Sequence, residues 1–139
     1  MRERIRCACT NLKMTARVVG RAYDQSLASA GINATQYAIL VNVGRYQPIS
    51  QVGLADHLGL ERTSLYRAVE LMEKKRWLRT TALGEGVTRL VELTPEGEKK
   101  LEQSRPLWEK AQAPFVRKFG KGRWDEFIGT LEEIRAHFG

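Results

Sequence analysis

Residues 54–78 read LADHLGLERTSLYRAVELMEKKRWL, and their pattern decides the fold. Leu54, Ala55 and Leu58, with Val52 just before them, mark the buried side of a short helix that Ser50 is placed to cap. Gly59 breaks it. The helical period resumes almost at once, with Leu65, Ala68 or Val69, and Met72 spaced to pack inward. Two short helices joined by a glycine turn, the second one basic, have the outline of a helix-turn-helix. Many helical hairpins share that outline without touching DNA, so the flanking sequence has to discriminate.

Downstream, the period changes from helix to strand. Leu78, Thr80 and Ala82 alternate before Gly84-Glu85-Gly86, and Val87, Arg89, Val91 and Leu93 alternate after it, which predicts a hairpin turning on two glycines. A hairpin in this place is a wing. Thr94 then caps a helix with Pro95 at its first position and Glu96 and Glu98 in its positive first turn. That helix carries Leu101, Leu107 or Trp108, Ala111 and Phe115, with bends expected at Pro106 and Pro114. A last helix from about Gly122 gathers Trp124, Phe127, Ile128, Leu131, Ile134 and Phe138 on one side.

Upstream, Ile5, Cys9, Leu12, Ala16, Val19, Tyr23 and Leu27 fall at steps of three and four, the stripe of a long amphipathic helix that Gly31 ends. Residues 34–44 read as a second, largely buried helix. After Gln47-Pro48, Ile49 is placed to form a short bridge of strand. The chain is thus mainly α (α+β), with no repeat or low-complexity tract.

Its 139 residues make one domain, 1–139, and no apolar run approaches the roughly 20 residues that span a bilayer. The start, MRERIRCACTNLK, lacks an apolar secretory segment, so a cytoplasmic location is expected. A net charge of +7 and a pI near 9.7 favour an acidic partner. The charge is concentrated in two places. Residues 1–21 carry six Lys/Arg against Glu3, and residues 62–79 carry six against Glu70 and Glu73. Cys7 and Cys9, spaced by one residue, match no zinc pattern, and His57 and His137 are too scattered to complete one. In a continuous helix the two cysteines would point roughly 200° apart, unable to share a metal. No cofactor or metal is called for. There is also no Ser/His/Asp set, phosphate-binding glycine loop or paired carboxylates, which argues against an enzyme.

The full order of elements resembles the MarR (multiple antibiotic resistance regulator) family of winged helix-turn-helix transcription regulators. "ATQYAIL" is similar to the family's second helix, and "LADHLGLERTSLYRAVELMEKKRWL" to its helix-turn-helix. "VELTPEGEKKLE" is similar to its exit from the wing. The resemblance implies dimerisation helices at 1–30 and 95–139 around a DNA-binding lobe at 31–94. It implies a homodimer that represses by placing two recognition helices in successive major grooves of a pseudo-palindromic site. The terminal helices agree with a dimer independently, because Trp108, Phe115, Phe119, Trp124, Phe127 and Phe138 exceed what a small winged helix needs to cover itself.

For the DNA partner, the side opposite Leu65, Val69 and Met72 offers Arg62, Thr63, Ser64, Tyr66 and Arg67, and at its edge Glu70. The arginines suit guanine edges or phosphates, the hydroxyls suit either, and the Tyr66 ring suits a thymine methyl or a sugar. Lys74, Lys75 and Arg76 lie nearer phosphate or solvent. Arg67 has a second option, pairing with Glu70 or Glu73 along the helix. The wing departs from the family. Its tip, "ALGEGVTRLVEL", puts Glu85 near the usual acidic position but Val87 where an arginine is usual, leaving Arg79 and Arg89 as substitutes, with Arg89 beside the hairpin's body. That departure keeps open a protein-docking module without DNA binding.

Two signals are open. The family's organic-hydroperoxide sensors carry a reactive cysteine 28 residues ahead of the tyrosine matching Tyr37, and a supporting tyrosine 14 residues after that cysteine; here these are Cys9 and Tyr23. The branch's second tyrosine corresponds to Ala34. Arg6 and Lys13 near a helix start would favour a Cys9 thiolate, whereas a place on the apolar stripe would make Cys9 an inert packed residue. Cys7 has no assigned role. The other signal is a small aromatic or otherwise apolar anion held near Tyr23, Tyr37 and Trp108 and matched by the N-terminal arginines.

Overall fold

A computed structural model describes residues 3–84 and 89–139. Helix α1 spans Ala8–Leu27 and ends in a tight turn, Ala28–Ala30, closed by Gly31 in the left-handed region at φ 70°. Its start corrects the sequence expectation. Ile5 and Cys7 precede the helix, and Asn11 Nδ2 donates to the Ile5 and Cys7 carbonyls at 2.7 and 2.9 Å, holding this segment outside the helical ladder.

Helix α2, Ala34–Tyr46, begins with a capping box in which Asn33 accepts from the Gln36 amide and the Gln36 side chain accepts from the Asn33 amide. Strand β1, Ile49–Ser50, leads into α3, Gln51–Leu58, whose first turn is capped by the Ser50 hydroxyl, accepting from Gly53 N at 3.0 Å. Gly59 adopts φ 64°, a conformation that glycine alone reaches without a Cβ penalty, and α4 follows as Arg62–Lys74. Strands β2, Leu78–Ala82, and β3, Arg89–Leu93, form an antiparallel pair, and β1 joins β3, giving the order β1-β3-β2. Helix α5, Pro95–Phe119, runs continuously through Pro106 and Pro114, and Gly120 turns the chain into α6, Lys121–Phe138.

The core lies where α2, α3, α4 and β3 meet. Leu40, Val43, Leu54, Leu65, Val69, Met72 and Val91 are fully buried there, each aliphatic contributing roughly 1.5–3 kcal/mol relative to exposure. Leu65, Val69 and Met72 form one stripe of α4, so their burial fixes the rotation of that helix and forces its other side outward.

Three hydrogen bonds at Thr94 bind the end of α4 to the start of α5. Its amide donates to the Trp77 carbonyl at 3.1 Å, its hydroxyl donates to the Arg76 carbonyl, and the same hydroxyl accepts from Gly97 N at 3.0 Å. Lys100 adds a strut, with Nζ donating to the Ala30 carbonyl at 2.7 Å while lying 5.4 Å from the centre of the Trp77 ring. By contrast, α6 touches only α5 closely and buries none of its residues. Among the described residues, no helix is long and apolar enough to cross a membrane.

Candidate nucleic-acid interface and signal sites

The outward side of α4 presents Arg62, Thr63, Ser64, Tyr66 and Arg67, all exposed. The pairing option for Arg67 is not used. Glu70 turns to Lys74 at 3.7 Å and Glu73 accepts from the Thr80 hydroxyl at 3.0 Å, so no ion pair engages Arg67 among the described residues. Lys75 lies 4.9 Å over the Trp77 ring, and Arg76 takes a positive φ of 64° that ends the helix.

In the wing, Arg79 faces its cross-strand partner Glu92 at 3.4 Å. Arg89 instead donates through Nε and Nη2 to the Thr80 hydroxyl at 3.2 and 2.7 Å. The expected tip residues Glu85, Gly86 and Val87 lie outside the described residues.

The two cysteines differ from expectation. Both are exposed, and Cys7 sits at the helix start with extended backbone, φ −73° and ψ 119°, so the 200° separation of a continuous helix does not describe the pair. Hydrogen bonds from the Thr10 side chain and backbone hold the Cys7 thiol below its ordinary pKa. Arg6 lies outside the helix, leaving Lys13 as the basic residue one turn after Cys9. Cys9 and Tyr23 stand 14 residues apart on α1, about 21 Å at the helical rise, so Tyr23 cannot reach the thiol of its own chain. The Tyr23 hydroxyl donates to Gln112 Oε1, its ring lies 5.9 Å from Phe115, and burial raises its pKa.

Tyr23, Tyr37 and Trp108 are brought together around a cavity of about 480 Å³ between α1, α2 and α5. The Tyr37 and Trp108 rings stack at 6.0 Å, and burial raises the Tyr37 hydroxyl above its ordinary pKa against the opposing influence of Arg105. The cations on this cavity are Arg45 and Arg105, not the N-terminal arginines, and Asn42 adds an amide. Their spacing carried the signal, because Arg45 lies two helical steps of four beyond Tyr37, and Arg105 lies three residues before Trp108.

A second hollow, about 520 Å³ and almost wholly apolar, runs between α1, α5 and α6, walled by Leu12, Val19, Phe115, Trp124 and Phe127. Tyr23 lines this groove as well as the cavity.

The profile of the MarR family matches residues 30–86. The crystal structure of the transcriptional regulator MosR from M. tuberculosis is 30% identical with a TM-score of 0.82, the match covering 95% of this chain and 97% of that one. A structure of MosR in complex with DNA is similar at 30% identity and a TM-score of 0.81, covering 94% and 97%. An uncharacterised HTH-type transcriptional regulator, YwoH of Bacillus subtilis (strain 168), is 24% identical over 92 residues, 66% of this chain and 67% of that protein. These relatives are transcription regulators, not enzymes. With its helix-turn-helix, three-stranded winged sheet and flanking helices, the chain belongs to the MarR family of transcription regulators.

Proposed function

We propose that the protein is a cytoplasmic, homodimeric repressor that binds a pseudo-palindromic operator and leaves it on a chemical signal. The observation that carries this reading is α4. Its apolar stripe is locked into the core while Arg62 and Arg67 stand exposed on the opposite side without acidic partners among the described residues. Residues 31–94 act as the DNA-binding lobe. Arg62, Thr63, Ser64, Tyr66 and Arg67 face the major groove, while Arg79 and Arg89 lie in the wing. Residues 1–30 and 95–139 dimerise, which the apolar groove of α1, α5 and α6 supports. The 30% identical MosR–DNA complex supports double-stranded DNA as the partner.

The test is a mobility shift on DNA from upstream of the protein's own coding sequence. Binding is expected to fall steeply with salt, and Arg67→Ala to weaken it by roughly 1–3 kcal/mol, about fivefold to more than a hundredfold. No shift with any upstream fragment would leave a protein-docking role as the better account.

The signal has two supported forms. The cavity at Tyr23, Tyr37 and Trp108, with Arg45 and Arg105 at its wall, suits a flat apolar body bearing an anionic group. The exposed thiols favour an oxidant instead, with the hydrogen-bonded Cys7 as the more acidic starting point beside the sensor-like position of Cys9. An organic hydroperoxide is expected to release DNA from the wild type but not from Cys7→Ser/Cys9→Ser. Release that persists in the double variant excludes the thiols, and the single variants identify which sulfur is attacked.

A further inference from the structure

A hydrogen-bonded chain joins the wing to the recognition helix. Pairing of Leu78 with Leu93, Thr80 with Val91, and Ala82 with Arg89 puts these side chains on one face of the hairpin. Near its base, Leu78 and Val91 enter the core, and farther out Thr80 meets Glu73 in the last turns of α4. The Thr80 hydroxyl donates to Glu73 Oε2 at 3.0 Å and accepts from Arg89 Nε and Nη2 at 3.2 and 2.7 Å. A hydroxyl has one hydrogen and two lone pairs, so these three bonds use its full capacity and fix its orientation. Glu73 thereby aims the oxygen at the guanidinium.

Arg79 is in a different situation. It lies on the other face of the hairpin, paired with Glu92. Arg89 has no carboxylate partner among the described residues, and its fork on Thr80 uses two of its five N–H groups. The remaining three form a planar edge that matches a phosphate.

We infer that Glu73 and Thr80 are positioning residues that hold Arg89 as a preset phosphate contact beside the recognition helix, supplying from the hairpin's body what the wing tip lacks. The inference rests on the DNA-binding reading and deepens it. A phosphate contact is blind to sequence, so its loss weakens binding to all duplexes alike and reduces the salt dependence. Presetting matters because an arginine otherwise loses rotamer freedom on binding.

The experiment is fluorescence anisotropy with a labelled duplex of about 30 base pairs, enough for two half-sites and their flanks, from upstream of the protein's own coding sequence, titrated at several salt concentrations. Arg89→Gln is expected to weaken binding about tenfold and to lower the slope of log K against log salt by about 0.9. Arg89→Lys keeps the slope but not the full affinity. Thr80→Val weakens binding roughly threefold to tenfold, Thr80→Ser restores it, and Thr80→Val has no further effect in an Arg89→Gln background. Melting curves within a few degrees of wild type establish that the variants fold. If Arg89→Gln matches wild type in affinity and slope while Arg67→Ala still fails, the inference is wrong and the regulator reading stands. If Thr80→Val weakens binding equally with and without Arg89, its role is structural and the positioning claim falls. Absence of any salt-dependent DNA binding by the wild type overturns both.

Discussion

Gly97→Ala is expected to destabilise the protein by about 3 kcal/mol or more and to lower its melting temperature by roughly 10 °C, read by circular dichroism. A Cβ at this position would stand 2.0 Å from the Trp77 carbonyl oxygen and 3.0 Å from its carbon. Both are backbone atoms, so no side-chain rotation relieves the clash. Nor is the carbonyl free to retreat, because it accepts the Thr94 amide at 3.1 Å, one of the bonds that anchor α5 to the end of α4. Relief would require moving the first turn of α5 away from Trp77, which breaks that anchor. Gly122→Ala, where an added Cβ meets nothing within 4 Å, is the control and is expected to stay within about 0.5 kcal/mol of wild type. A melting point for Gly97→Ala equal to that of Gly122→Ala would show that this approach of helix to strand is not structurally required.

The second large effect is expected from Leu12→Asp. Leu12 is 42% exposed in the single chain and walls the apolar groove, so a carboxylate there is hydrated in a monomer. In an interface of two identical chains the same change occurs twice, placing two uncompensated charges against apolar surface, at several kcal/mol each. Light scattering coupled to size exclusion is expected to report a monomer for the variant and a dimer for the wild type. DNA affinity should fall more than a hundredfold, because one recognition helix no longer places the other. A variant that remains dimeric would remove the groove from the interface.

The fold was legible in the sequence where burial and capping reinforce each other. Leu65, Val69 and Met72 announced the rotation of α4, and Ser50 and Thr94 announced helix starts, because one-sided burial and cap chemistry are local properties. The start of α1 was not legible. Ile5 fits the apolar period, but periodicity does not report that Asn11 ties the carbonyls of Ile5 and Cys7 and leaves Cys7 extended. The same limit applies to the sites. Tyr23, Tyr37 and Trp108 were picked as spare aromatics, yet Arg45 and Arg105 were passed over because each, taken alone, looks like a solvated helix charge. The Glu73–Thr80–Arg89 chain depends on strand register across a hairpin, which alternation within each strand does not supply.

Tyr23 has a consequence of its own, since its ring is a common wall of the cavity and of the apolar groove. An occupant that pushes or braces this ring acts on the surface where a second chain would pack. Linkage then requires reciprocity: a molecule that binds the paired form more weakly must loosen the pair by the same factor, and association must tune the cavity in return. Affinity for such a molecule would therefore vary with protein concentration, a thermodynamic signature written into one tyrosine.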